Sequence, residues 1–579
     1  MRSYTRTSPW SVLTCFLLFC LIFLQGCLEN TPPEKNLNTD AIRINQVGYY
    51  PQSSKKAIVV DPGKATNFEI VEVSKMETVL TGDLSKSLSW DLAGETVKVA
   101  DFSGLQESGS YKVYVEGIGY SHPFEIESAV LNDALKAAIK GQYYQRAGMG
   151  LEQAFADKWE RALGHPDDSV LFHPSTGKSG FTSAPKGWYD AGDYGKYVVN
   201  GAFSLGQMMS YYEQYPDNIA DGDLNIPESG NGVSDLLDEF KYELDWLLTM
   251  QDEDGGVFFK LTTKGFAGMV MPEEAVKPRY IIGKGTAPTL DFAAVLAKAA
   301  RIFADVDPTY AQTCLEAAEN AWAWAKNNDA LIYNNPEDIS TGEYGDSNFT
   351  QEFYWAAAEL FVTTNSETYE EYLKTINIDF TFTPGESWAN FMHYIGAIAL
   401  LENLEENPIK EQLQQAILKE ADRLVKMSKS NAYFQPVADF QWGSNSDVLN
   451  TAMIIAQAYR IKPDPSYLNS VQEITDYIFG KNATGYCFLT GFGTKTPQFI
   501  HHRPSSADGV SEPVPGLLSG GPNSHQQDKH EVDYPENAAP MKSWMDVEPS
   551  FASNEVCLNW NSAAVYVLGF LEAETALKQ

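Results

Sequence analysis

The chain has 579 residues, 44% of them hydrophobic, with 77 Asp and Glu against 42 Lys and Arg, a formal net charge of −35. That length supports at least two packed domains, and so acidic a surface repels nucleic acid and anionic lipid, excluding both as charge-driven partners. The six cysteines, scattered without CxxC spacing, exclude a disulfide scaffold and a cysteine-based metal site.

In chain order, Arg2 and Arg6 precede an apolar run from Ser11 to Leu24 that is too short to span a bilayer. "LQGC", Leu24 to Cys27, resembles a bacterial lipobox. A lipoprotein signal peptide is expected over 1–26, with Cys27 lipidated and the protein held at a membrane, on the cell surface or in the periplasm, by that lipid alone. Residues 27–40 are polar and proline-bearing, the composition of a tether.

From 41 to 128, short segments such as "KKAIVVDP" and "GSYKVYVEG" alternate in period two between turns. About seven of them predict a small immunoglobulin-like β-sandwich. From 129 to 579 the period becomes helical. "SDLLDEFKYELDWLLTMQ" sets Leu236, Leu237, Phe240, Leu244, Leu247 and Leu248 on one stripe. About twelve such segments begin near Asn132, Gly195, Ser234, Thr289, Thr309, Gln351, Glu367, Trp388, Ile409, Ser446, Ser466 and Asn559. With no fixed repeat period, a closed ring of six helical hairpins is the expectation. The long Gly-, Pro- and aromatic-rich stretches from Pro166 to Asp193 and from Gly491 to Asn554 are expected to be functional loops.

Three constellations can carry chemistry. "KGWYDAGDYGKY" holds Asp190 and Asp193 just before a helical pattern; Asp193 reads either as an N-cap or as half of a carboxylate pair that activates water. "GFGTKTPQFIHHRPSS" holds His501, His502 and Arg503. No acid or cysteine stands at ligand spacing, so the run reads as an exposed polar loop or as planar donors for hydroxyls. "SFASNEVCLNWNSAAV" holds Glu555, which reads as an acid in the first turn of the last helix or as a catalyst. Loop aromatics, among them Trp188, Tyr189, Tyr194, Trp442, Trp544 and Phe551, suit a sugar-binding cleft, although core packing accounts for any single ring.

Together these stretches resemble glycoside hydrolase family 9, inverting cellulases with an (α/α)6 barrel. "YDAGDYGKY" resembles the family's N-terminal acid motif, "GFGTKTPQFIHHR" its histidine signature, and "WMDVEPSFASNEVCLNWNS" its C-terminal acid signature. "INQVGY" is similar to the start of the immunoglobulin-like module that precedes one branch. The resemblance implies Glu555 as general acid, Asp193 as general base, Asp190 positioning the water, and His501, Arg503 and to a lesser degree His502 binding sugar hydroxyls. It implies endo-acting hydrolysis of a β-1,4-glucan such as cellulose, mixed-linkage glucan or xyloglucan, with no required cofactor. Its alternatives are an exo-acting glucosidase, cellobiohydrolase or glucosaminidase, or a surface glycan-binding protein without catalysis. Cys557 stands where the signature expects Ser, Thr or Ala. Ala147 and Gly164 stand where some members carry zinc-binding cysteines, so no such zinc is expected despite His165. The family's calcium loop is matched at Ser347 and Glu352, but Gln351 replaces its aspartate, which predicts a weakened calcium site or none.

Overall fold

The computed structural model describes residues 38–576. The expected signal peptide, Cys27 and most of the tether lie outside the described residues.

Ten short strands build the N-terminal sandwich. They are β1 (Ile42–Arg43), β2 (Gly48–Tyr49), β3 (Lys56–Val60), β4 (Asn67–Glu72), β5 (Glu77–Asp83), β6 (Leu88–Trp90), β7 (Glu95–Asp101), β8 (Gly109–Val115), β9 (Gly119–Tyr120) and β10 (Phe124–Ile126). One sheet runs β1-β3-β7-β6, the other β2-β10-β8-β4-β5 with β9 beside β8. Inward residues such as Ile70, Val113, Tyr49, Phe102 and Phe124 fill the space between the sheets, aromatic rings as well as the aliphatic side chains a period-two pattern requires. The other face of β3 and β7 presents Ile58, Val60, Val97 and Val99 to the core of the helical part. The sandwich is therefore packed onto its neighbour.

Twelve longer helices follow among the described residues, each starting within four residues of its expected position. They are α1 (Asn132–Tyr144), α2 (Val198–Gln214), α3 (Asp235–Thr249), α4 (Thr286–Ile302), α5 (Pro308–Asn327), α6 (Thr350–Thr364), α7 (Glu367–Thr375), α8 (Met392–Asn403), α9 (Pro408–Ser428), α10 (Ser444–Ile461), α11 (Pro465–Ile478) and α12 (Leu558–Ala576). Even-numbered helices are buried on all sides except in their end turns; α5, α7 and α9 expose a polar stripe, α1 and α3 are only partly open on their outer face, and α11 is buried after its first turns. The even helices pack side by side: α12 on α2, α2 on α4, α4 on α6 and α6 on α8, with α10 closing against α12. Odd helices begin where local chemistry starts a helix: Asp307, Asn407 and Asp464 each cap a backbone N–H, and a proline follows at the first helical position.

One element is absent from the sequence reading. The loops between α1 and α4 contribute β11 (Val170–Phe172), β12 (Phe181–Thr182), β13 (Lys196–Tyr197), β14 (Phe258–Thr262) and β15 (Tyr280–Lys284), which form a sheet in the order β12-β11-β15-β14-β13. Strands of two to five residues are too short to show a period. This sheet fixes the loop that carries the aspartates.

Candidate active site

Asp190 and Asp193 lie on the turn between Trp188 and β13. The Trp188 N–H donates to Glu243 of α3 (2.6 Å), the Asp190 N–H to the Gly195 carbonyl (3.0 Å), and the Leu558 N–H at the head of α12 to the Asp190 carbonyl (2.9 Å). The turn is thus fastened both to an outer helix and to the last inner one. Asp193 is not a helix cap. Its Oδ2 accepts from the N–H of Gly195, two residues on (2.9 Å), and α2 begins only at Val198 behind Tyr197, which makes no side-chain cap.

Glu555 is likewise outside a helix. A four-residue turn, Phe551–Asn554, ends at Glu555, whose backbone is extended and pairs with His501 before α12 starts at Leu558. The two carboxylate-bearing segments and the His501 segment meet at Gly192. A Cβ there would lie 2.1 Å from the His501 carbonyl oxygen and 3.2 Å from Glu555 Oε1, so only glycine admits this approach.

Asp190, Asp193 and Glu555 line one cavity of about 440 Å³, walled by Tyr344, Trp388, Trp442, Trp560 and Phe266. Asp190 accepts from Asn200 Nδ2 (2.8 Å) at one oxygen and from the Tyr344 hydroxyl at the other. Burial and then the neighbouring Asp193 charge push its carboxyl up to about 8, against those two donors and the nearby Lys260. Burial, followed by Asp193, also pushes Glu555 well above the usual carboxylate range, with Arg503 opposing. Both effects favour the protonated form of Glu555, the form a proton donor needs.

The histidine segment divides its labour. His501, half-buried, donates from Nδ1–H to the Glu548 carbonyl (2.7 Å), and burial lowers its basicity, so it is neutral with Nε2 as the free edge. Arg503 does not line the cavity; it donates from Nη1 to the Gly192 carbonyl (2.6 Å) and from Nε to the Ala267 carbonyl (3.0 Å), joining two loops. His502 is turned away from the cavity. It is 1% exposed and bonded to Gln145 Oε1 (3.0 Å) and Ser505 Oγ (2.8 Å), and its Nδ1 accepts from the Ser505 N–H (3.4 Å), capping the short helix Arg503–Ala507. Its expected contact with sugar is corrected to a structural one.

Of the loop aromatics, Trp188, Tyr189, Tyr194 and Trp544 are core, whereas Trp442, 39% exposed, faces the cavity. Tyr344, Asn200 and Trp388 escaped the sequence reading, because each is contributed by its own segment and none stands in a motif.

Of the residues named for zinc and calcium, His165 bonds the Tyr189 hydroxyl (2.8 Å) and the Ala275 carbonyl (3.0 Å), with both ring nitrogens engaged. Ser347 is exposed, and Gln351 turns its carboxamide to His393 (2.5 Å). Glu352 is buried beside Asp346 and Asp291, and burial with their repulsion raises its carboxyl well above the usual range. Among the described residues no group of three or more His, Cys, Asp or Glu side chains is arranged to hold a metal.

Residues 132–568 match the family described as glycosyl hydrolase family 9, and residues 38–120 match the cellulase N-terminal ig-like domain. The chain is 40% identical to a xyloglucan-specific endo-β-1,4-glucanase of Bacteroides ovatus over 94% of its own length and 95% of that protein. It is 33% identical to endoglucanase D of Acetivibrio thermocellus, over 98% and 86% respectively. Among solved structures, a Bacteroides ovatus family 9 protein superposes with a TM-score of 0.87 at 39% identity, covering 93% of this chain and all of that one. A metagenome-derived family 9 endoglucanase gives 0.85 at 33% identity, over 92% and 98%. With an acid-lined, tryptophan-walled cavity at the head of its last helix, the chain belongs to glycosyl hydrolase family 9 and is a glycoside hydrolase with an N-terminal immunoglobulin-like domain.

Proposed function

We propose that the protein hydrolyses internal β-1,4-glucosidic bonds of a glucan, with inversion, from a lipid anchor at Cys27. One observation carries the reading: two aspartates and a glutamate from segments 362 positions apart line a single tryptophan-walled cavity. Glu555 protonates the departing glycosidic oxygen. Asp193 draws a proton from a water that attacks the anomeric carbon on the opposite face. Asp190, its carboxyl pushed up to about 8, orients that water. Such a single displacement needs carboxyl groups roughly 6.5–9.5 Å apart, with water between them. His501, beside Glu555 and half-open to solvent, offers Nε2 to a hydroxyl on the leaving-group side. The two carboxyl groups supply both proton transfers, so no step calls on a cofactor.

The twelve helices, the six even-numbered ones buried all round except at their ends, read as an (α/α)6 barrel whose loops at one end form the cleft. Xyloglucan is the preferred substrate in this reading, supported by the similarity to the Bacteroides enzyme of that specificity.

Purified protein on xyloglucan, barley glucan and carboxymethylcellulose tests the proposal. Glu555→Gln and Asp193→Asn are each expected to lower kcat at least about 1000-fold with unchanged circular dichroism. Wild-type products are expected to be a broad oligosaccharide series. Monomer or dimer alone would mean exo action, and full activity in either variant removes the assignment.

A further inference from the structure

Behind the aspartate turn, outside the cavity lining, Lys260 is buried in β14. In the β13–β14 register it stands opposite Tyr197, four residues after Asp193. Its ammonium donates to the Gly342 carbonyl (2.6 Å), to Asn335 Oδ1 (2.7 Å) and, more distantly, to the Thr341 carbonyl (3.4 Å). All three acceptors belong to the segment that ends in Tyr344, whose hydroxyl donates to Asp190.

The same ammonium lies 5.4 Å from the centroid of the Tyr197 ring. That ring packs against the aspartate turn: a Cβ on Gly195 would meet Tyr197 Cε2 at 2.5 Å and Asp193 Oδ2 at 2.9 Å. The titratable groups facing Lys260 are Asp190 and Asp193 from the turn, Tyr197 from β13, and Tyr333 and Glu343 from the loop after α5. A buried ammonium is costly unless its charge and all its donors are used. Here the donors hold the Tyr344 segment; burial pulls the ammonium down to about 7, so Lys260 is fully charged only below neutrality, the range in which the acid limb is read, and there its charge faces the acid pair.

We propose that Lys260 is a positioning residue for the hydrolysis: it pins the segment that presents Tyr344 to Asp190 and, while protonated, sets a positive charge behind the aspartate pair. This rests on the reading of Asp193 as the general base. A merely structural pin would need the hydrogen bonds and not the charge, and that difference is measurable.

The test is the pH profile of kcat/KM on a soluble β-glucan for Lys260→Gln, Lys260→Arg and Asn335→Asp, with Asp193→Asn as control. Losing a nearby positive charge raises a carboxyl pKa, so the acid limb of Lys260→Gln is expected to move up by about one pH unit. Its kcat is expected to fall roughly 10-fold. Lys260→Arg keeps the charge and keeps the limb. Asn335→Asp leaves Lys260 in place but neutralises its field, and is expected to move the limb the same way; it decides alone if Lys260→Gln fails to fold. An acid limb unmoved in Lys260→Gln and Asn335→Asp, whatever the loss of rate, overturns the proposal while an inactive Asp193→Asn leaves the base assignment standing. An active Asp193→Asn overturns that assignment first and the role of Lys260 with it.

Discussion

Asp190 and Asp193 are the same side chain three positions apart, and their surroundings make them chemically different. Asp190 is enclosed by Asn200, Tyr344 and Cys557, and burial pushes its carboxyl up to about 8. Asp193 accepts a bond from the N–H of Gly195 and opens on the cavity. "YDAGDYGKY" singled out this pair, and "ASNEVC" singled out Glu555, because each acid stands in an unusual local run, and all three line one cavity. The partners were not legible: Tyr344 arrives 154 positions from Asp190, and only the folded chain chooses it. The glycine between the aspartates has a sharper role than flexibility. Gly192→Ala would force a Cβ to within 2.1 Å of the His501 carbonyl oxygen, which is backbone and cannot rotate away. A shift of about 1 Å at the acid–base pair costs on the order of 100-fold in rate. Steady-state assays with thermal unfolding as control should show that loss with the fold retained; unaltered kcat would mean that the segments tolerate separation.

At the scale of elements, the helices were readable from their apolar stripes and caps, since burial of one face is decided locally. The small sheet β11–β15 was not, and neither was the wall it faces. Before α8, the chain turns at Gly385 and Glu386, both with positive φ (86° and 47°), and delivers Trp388 to the cavity. Glu386 in that conformation is strained and must be held. The holder is Asp447 in the first turn of α10, whose two oxygens both accept from the Gly385 N–H at 3.0 Å. Asp447→Ala leaves that N–H without its partner, a cost of about 1–3 kcal/mol for a buried group. The expected outcome is a KM raised several-fold with kcat within about 3-fold of wild type, because Trp388 binds sugar while the acids remain in place. Product assays over a range of substrate concentrations check this, and an unchanged KM would remove Trp388 from binding.

For the whole molecule, the sandwich and the helical ring act as one body in which the cavity is built at a distance from the sandwich. Asn45 bonds Asp476 (2.9 Å), Gln46 bonds the Gly485 carbonyl (2.8 Å), and Tyr50 bonds Glu572 near the end of α12 (2.6 Å). The last contact ties the first domain to the helix that follows Glu555. The two-domain order was legible because the hydrophobic period changes from two to about 3.6 near Ala129. That the domains share a core was not, since Ile58 and Val97 read equally well as sandwich interior. Folding brings residue 555 and residue 193 to one cavity; that they act from opposite faces of a sugar held there is the central claim. Proton NMR of a fresh digest of a soluble β-glucan tests it most directly. One displacement by water between the two carboxyl groups predicts the α-anomer first, with the β-anomer growing only by mutarotation; β-anomer appearing first would contradict it.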